Sequence, residues 1–198
     1  MTTTPFQVTV PRLTVPVGPD DHTLGPANAP VSLVEYGDFQ CPYCAMTYAI
    51  LRDLLRLRGA RVRYTFRHFP LTNVHPYADL AAEVAEAAAE RGAFWPMRDW
   101  LFANQEGINP RRLMVGVERL GLPAAEIGDE VGAHLYLDRV RRDLVGGVRS
   151  GVGGTPTFFL NGVRHDGGYA LGDLLEAVDE AAEAAVPPAS GNSGQSMR

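Results

Sequence analysis

Cys41 and Cys44 are the only cysteines in 198 residues, and they stand as Cys-Pro-Tyr-Cys within "YGDFQCPYCAM". Four chemistries use such a pair: a metal clip, a structural disulfide, a chance juxtaposition or a redox centre. The thiolate, not the thiol, is the nucleophile in disulfide exchange. A free cysteine titrates at about 8.5, so activation needs an environment that favours the anion. A helix start supplies unpaired N–H groups and positive dipole. The sequence puts Cys41 at such a start. Cys44 follows one turn later on the same face, within reach of a mixed disulfide on Cys41. Pro42 suits the first helical turn, where no N–H is needed.

The elements around the pair follow from local patterning. "VSLVEY" (31–36) is a short apolar run suited to a buried strand. From Cys44 the pattern turns helical, with Tyr48, Leu51, Leu54, Leu55 and Leu57 on or near one face and Gly59 at the end. "RVRYTFRHF" then alternates: Val62, Tyr64 and Phe66 one way, Arg61, Arg63, Thr65 and Arg67 the other. Strand, helix, strand predicts a parallel, right-handed βαβ unit.

Residues 76 to about 148 read as helical throughout. Asn109 and Pro110 mark one helix start, Gly121 its end, and Ile127, Val131, Leu135 and Leu144 keep near-helical spacing further on. "TPTFFL", Asn161–Gly162 and "VRHDGG" read as a hairpin with a type I′ turn, followed by a last helix. Upstream, residues 6–17 suit an edge strand or ordered arm broken by Pro11 and Pro16, and 18–30 read as loop. The expected organisation is an N-terminal arm (1–28), one domain (29–187) with a helical insertion at about 76–148, and a disordered tail (188–198).

Composition narrows the function classes. A chain this long buries roughly 70% of its unfolded surface and needs no disulfide or metal staple. The net charge is −5, which does not point to nucleic acid. All 18 basic residues are Arg, a bias read as GC-rich coding. No apolar run suits a membrane span or a secretory leader, so the default expectation is cytoplasmic, or extracytoplasmic if a leader was removed. Zinc needs about four ligands, the pair supplies two, and no His-x₃₋₅-His occurs, so no metal is expected. No small-molecule cofactor is expected either.

The order β-α-β, helical block, β-β-α matches a thioredoxin fold with a helical insertion. With "GDFQCPYC" and "GVGGTPTFFLNG" in that order, residues 22–186 resemble the DsbA-like thiol–disulfide oxidoreductases, especially their bacterial branch. The resemblance implies an α/β thioredoxin-like fold with a central mixed sheet. It implies exchange with protein or peptide thiols and disulfides, a recycling thiol or reductase, and no nucleic acid or membrane. Cys41 would attack or be attacked, and Cys44 would resolve the intermediate. Thr155–Pro156 would be cis, packed against the pair, with the residue before the proline pairing to bound substrate. Glu35 matches a buried acid that relays a proton to or from Cys44. Pro42-Tyr43 differs from the Pro-His of the well-known periplasmic oxidant, which puts a strongly oxidising potential in doubt and leaves the direction of electron flow open.

Two rival classes remain: a redox-inactive binding module of the same fold, and a glutathione-dependent transferase or isomerase. Cys44 argues against both. His68 and His75 read as structural or helix-start partners. His22, His134 and His165 have no supporting context. Phe94, Trp95, Trp100 and Phe102 read as the insertion's core, with a substrate groove as the other reading. Arg139, Arg141 and Arg142 read as a solvated helix face.

Overall fold

The computed structural model describes residues 10–185. Five strands form one sheet in the order β1-β3-β2-β4-β5. They are β1 (His22–Leu24), β2 (Val31–Gly37), β3 (Val62–His68), β4 (Thr157–Leu160) and β5 (Val163–Arg164). β2 and β3 are parallel, with Val31 opposite Val62 and Gly37 opposite His68. β1 runs antiparallel to β3, β4 to β2, and β5 to β4. The fold is thus α/β, with the mixed sheet expected of a thioredoxin-like domain.

Helix α1 (Pro42–Arg58) makes the crossover between β2 and β3. Five helices lie between β3 and β4: α2 (Ala78–Ala89), α3 (Phe94–Ala103), α4 (Pro110–Arg119), α5 (Ala124–Gly132) and α6 (Leu137–Arg149). Helix α7 (Leu171–Ala184) follows β5. Asn109 accepts a hydrogen bond from the Arg112 N–H at 3.0 Å and caps α4, with Pro110 in its first turn. Asn161 and Gly162 both take positive φ (46° and 80°), as the two-residue turn of a type I′ hairpin requires.

The core lies on both faces of the sheet. One face packs Leu33, Tyr64, Phe66 and Phe158 against α1, α7 and the helical block. The other gathers Val34, Tyr36, Phe69 and Phe159. This second face corrects the expected polar side of β3. Thr65 and Arg67 are buried because α6 and the N-terminal segment cover them. Arg67 is compensated by bidentate bonds to Asp21 (2.8 and 2.9 Å) and by the carbonyls of Val15 and Pro16.

Other expectations also change. β1 forms inside the stretch read as loop, by pairing with β3. Only an isolated bridge, Arg12 to Val163, joins residues 10–17 to the sheet, and residues 6–9 lie outside the described chain. The tail at 188–198 does too. Leu57 and Leu135 are exposed. The run at 123–145 falls in two helices, α5 and α6, broken at His134 (φ 55°), whose Nδ1 lies 2.9 Å from Glu83. Arg139 is not solvated: it pairs with Asp143 and approaches Glu86. Arg141 and Arg142 are exposed.

Candidate active site

β2 delivers the chain to the loop at Asp38–Gln40, and Cys41 is the N-cap of α1 with Pro42 in the first turn. Cys41 has extended backbone (φ −74°, ψ 119°), so its thiol stands where the free N–H groups of Tyr43 and Cys44 point. Tyr43 is 65% exposed, while Cys44 lies at 0% beneath it. Both cysteines are thiols in the structure.

The Thr155–Pro156 peptide is cis. It opens β4 and faces the pair: Cys41 Sγ donates to the Thr155 carbonyl at 3.2 Å. The Thr155 hydroxyl is buried and has no hydrogen-bond partner among the described residues. Tyr169 donates to the Pro156 carbonyl at 3.2 Å.

Three positioning residues escaped the sequence reading. Asp38 Oδ1 accepts the Gln40 N–H (2.7 Å), and its Oδ2 accepts the Leu71 N–H (2.8 Å) and faces His75 Nδ1 (2.7 Å). Gln105 Nε2 donates to the carbonyls of Phe39 and Cys41 at 2.9 and 2.8 Å. Tyr169 is the third. Apart from the Asp38–Gln40 turn, their contacts span 13 to 66 residues of sequence, so no local pattern marks them. His75 is therefore a loop partner, as its reading as a structural residue implies.

The two thiols are driven apart electrostatically. Cys41 is held at about 5, far below the ordinary value of 9. The hydrogen bond from the Cys44 thiol is the main cause; burial opposes it, and the Thr155 hydroxyl and two backbone N–H groups assist. Cys44 is pushed well above 9, chiefly by burial, then by that same hydrogen bond and by the nearby charge of Glu35.

Glu35 is fully buried on β2, between Phe66 of β3 and Phe158 of β4 in register. Tyr64 donates to its Oε2, and Arg98 Nη2 lies 3.5 Å from the same oxygen. Its Oε1 has no hydrogen-bond partner. Burial pushes the Glu35 carboxyl up, against the pull of Arg98 and Tyr64. Arg98 comes from α3 and sits among Tyr48, Tyr64, Phe66, Trp95 and Phe102, 5.1–5.6 Å from each ring centroid. Phe94 and Phe102 are buried in the main core, with Trp95 and Trp100 packed against it.

A mixed sheet, a dithiol at the start of the crossover helix and an adjacent X-Pro turn define a thioredoxin-fold protein with a helix-start Cys-x-x-Cys. The thioredoxin family model matches residues 18–180, and the chain belongs to that family. The fold is DsbA-like. It superposes on oxidised BdbD from Bacillus subtilis with a TM-score of 0.74, at 20% identity over 81% of this chain and 92% of that one. Against α-DsbA1 from Wolbachia pipientis the TM-score is 0.73, at 21% identity over 87% and 96%. Among curated proteins it is 48% identical over 181 residues to the Na(+)/H(+) antiporter NhaA 3 of Salinispora tropica. That alignment takes in 90% of this chain and 28% of the antiporter, so the chain spans about a quarter of that relative. No helix among the described residues is long and apolar enough to cross a membrane.

Proposed function

We propose that the protein is a thiol–disulfide oxidoreductase that uses Cys41 and Cys44 to oxidise protein or peptide dithiols. The observation that carries this reading is the Cys41 thiol held at about 5 by donors converging on its sulfur. A thiolate uses those donors fully, whereas a disulfide sulfur uses them weakly. They therefore stabilise the reduced state, which makes the disulfide state the better oxidant. Pro42-Tyr43 lacks an imidazole, yet Cys44, Thr155 and the helix N–H groups supply stabilisation without one.

In the proposed cycle a substrate thiolate attacks Cys41 Sγ of the Cys41–Cys44 disulfide. The Cys41–Cys44 bond breaks, a mixed disulfide forms, and Cys44 leaves with the electron pair. With its pKa raised well above 9, Cys44 takes up a proton, and Glu35 is the buried acid to relay it. The second substrate thiolate then attacks the substrate sulfur of the mixed disulfide. The substrate leaves oxidised, and Cys41 leaves as a stable thiolate. An external oxidant of disulfide or quinone type must re-form the pair. Thr155 and Pro156 flank the sulfur under attack, and the exposed Tyr43 borders the approach.

Net oxidation needs an oxidising compartment, so this reading favours an extracytoplasmic setting over the cytoplasmic default. The antiporter relatives favour a membrane transporter as the neighbouring partner of the module.

The reduction potential of the Cys41–Cys44 couple tests the direction. Thioredoxin lies at about −270 mV and the strong periplasmic oxidant at about −120 mV. A value above about −200 mV supports oxidation; one near −270 mV overturns it. Cys41→Ser must abolish dithiol oxidation, and Cys44→Ser must accumulate mixed disulfides. Full activity in Cys41→Ser would sink the mechanism and revive the binding-module reading.

A further inference from the structure

Three side chains that share no sequence neighbourhood meet at the far end of β3. His22 stands on β1, His68 ends β3, and Glu86 lies on α2. His22 pairs with Phe66, two residues before His68, so both imidazoles project from one face of the sheet. Helix α2 brings Glu86 to that face. His22 Nε2 lies 2.8 Å from Glu86 Oε1, and His68 Nε2 lies 2.7 Å from the same oxygen. All three donor atoms fall within 4.8 Å of one another. His68 and Glu86 are buried, and Phe94 stacks on the His22 ring at 3.5 Å, which fixes its orientation.

We propose that His22, His68 and Glu86 form a reversible zinc site that clamps β1 and α2 to the end of β3. Two imidazoles and one carboxylate are a donor set zinc uses when it keeps a fourth position open. A cavity of about 540 Å³, bordered by His22, Glu86, Asp20 and Glu90 and also by Arg139 and Arg142, supplies that fourth position and a route from solvent. Zinc bonds of about 2.0–2.2 Å in tetrahedral geometry place adjacent donors roughly 3.3 Å apart. Each His–Glu86 contact therefore needs to open by only about half an ångström to accept the ion.

Two neighbours set the strength of the site. Arg139 Nε lies 3.9 Å from Glu86 Oε2, but Arg139 also holds Asp143 and keeps that carboxylate when Glu86 turns to a cation. His68 Nδ1 has no hydrogen-bond partner. Zinc-bound histidines usually donate that N–H to a carboxylate or carbonyl, and losing such a partner costs about 10–100-fold in affinity. The site is thus exchangeable rather than a permanent structural centre. Its state reaches the pair by packing: the His68 ring lies 5.8 Å, edge to face, from Phe39, two residues before Cys41.

The site does not depend on the disulfide-exchange reading, and its test is made without the redox pair. Cys41→Ser/Cys44→Ser removes the competing thiolates. Calorimetric titration of that variant with zinc chloride should give one equivalent bound, and cobalt(II) should give the visible absorption of a tetrahedral centre. Adding Glu86→Gln is the decisive step. A Gln carbonyl still accepts both ring N–H groups, so the fold survives, but a neutral amide is a poor zinc ligand. Affinity should fall by more than ~10-fold, the cost of disturbing even an outer partner. His22→Ala should have the same effect, with circular dichroism confirming the fold. Absence of zinc uptake, or uptake unchanged in both variants, overturns the proposal.

Discussion

Glu35 and Glu86 are both buried, both paired to side chains on other elements, and shifted in opposite directions. Burial raises the Glu35 carboxyl and outweighs Arg98 and Tyr64, which meet its Oε2. Glu86 is driven down far below the usual carboxylate range. Burial pushes it up, but the hydrogen bonds from His22 and His68 and their charge overcome that. The same side chain is thus shifted toward the neutral form beneath the redox pair and toward the ionised form at the end of β3. Depth and donors act together: Glu35 is fully buried, whereas Glu86 borders a cavity and meets two imidazoles. A proton-relaying acid needs the first arrangement and a cation ligand needs the second.

Arg98 is the sharpest place to break this contrast. It is the one cation paired with Glu35 among the described residues and is itself buried among five aromatic rings. Arg98→Met keeps the bulk and removes the charge. It should cost about 3–5 kcal/mol at neutral pH, the usual penalty for leaving a buried partner uncompensated. Urea unfolding measures it. A loss below about 1 kcal/mol would mean that Glu35 is already neutral and needs no cation.

The next test makes one substitution at both sites. Glu86→Gln should destabilise by about 1–3 kcal/mol at pH 7, since an ionised acceptor is lost. Glu35→Gln should destabilise less than Glu86→Gln, since burial already disfavours the anion that is lost, although Arg98 gives up its carboxylate partner. The pH dependence should run in opposite directions. Glu86 has a depressed folded pKa, so its contribution is present above its ordinary 4.5 and is lost as pH falls below that value. Glu35 has a raised folded pKa, so its contribution is present below 4.5 and is lost as pH rises through the folded value. Denaturation midpoints of the wild type and both variants from pH 3 to 8 would show it. Parallel curves for the two variants would remove the distinction.

The sequence carried one of these sites and hid the other, for a physical reason. β2, the Cys-Pro-Tyr-Cys helix start and the Asn161–Gly162 turn are written in neighbouring residues, and so the sheet and the pair were legible. Glu35 was singled out by its place before the pair and by the family likeness. Its partners Tyr64 and Arg98 were not, because they arrive from β3 and α3. The histidine cluster joins positions separated by 18 and 64 residues. Its member His22 lies in a segment so rich in Gly, Pro and Asp that it reads as loop; only pairing with β3 makes it a strand. Arg67 misled for the same reason, since its acid Asp21 comes from a distant segment, whereas Arg139 misled although its partner Asp143 lies one turn further along α6.

The smallest expected effect tests whether the two carboxylates speak to the redox pair separately. Charge on Glu35 raises the Cys44 thiol, whereas Glu86 is not among the groups that shift it. In a Cys41→Ser background, where the only remaining thiol is Cys44, Glu35→Gln should move thiolate formation to lower pH. Ultraviolet thiolate absorbance against pH reads this directly. Glu86→Gln in the same background should leave the titration in place. A downward move with Glu86→Gln as well would mean that the end of β3 couples to the pair through Phe39 and the loop it anchors. In that case the two acids would form one electrostatic unit. An unmoved titration in Glu35→Gln would instead leave burial as the cause of the high Cys44 value, and Glu35 would lose its place in the proton route.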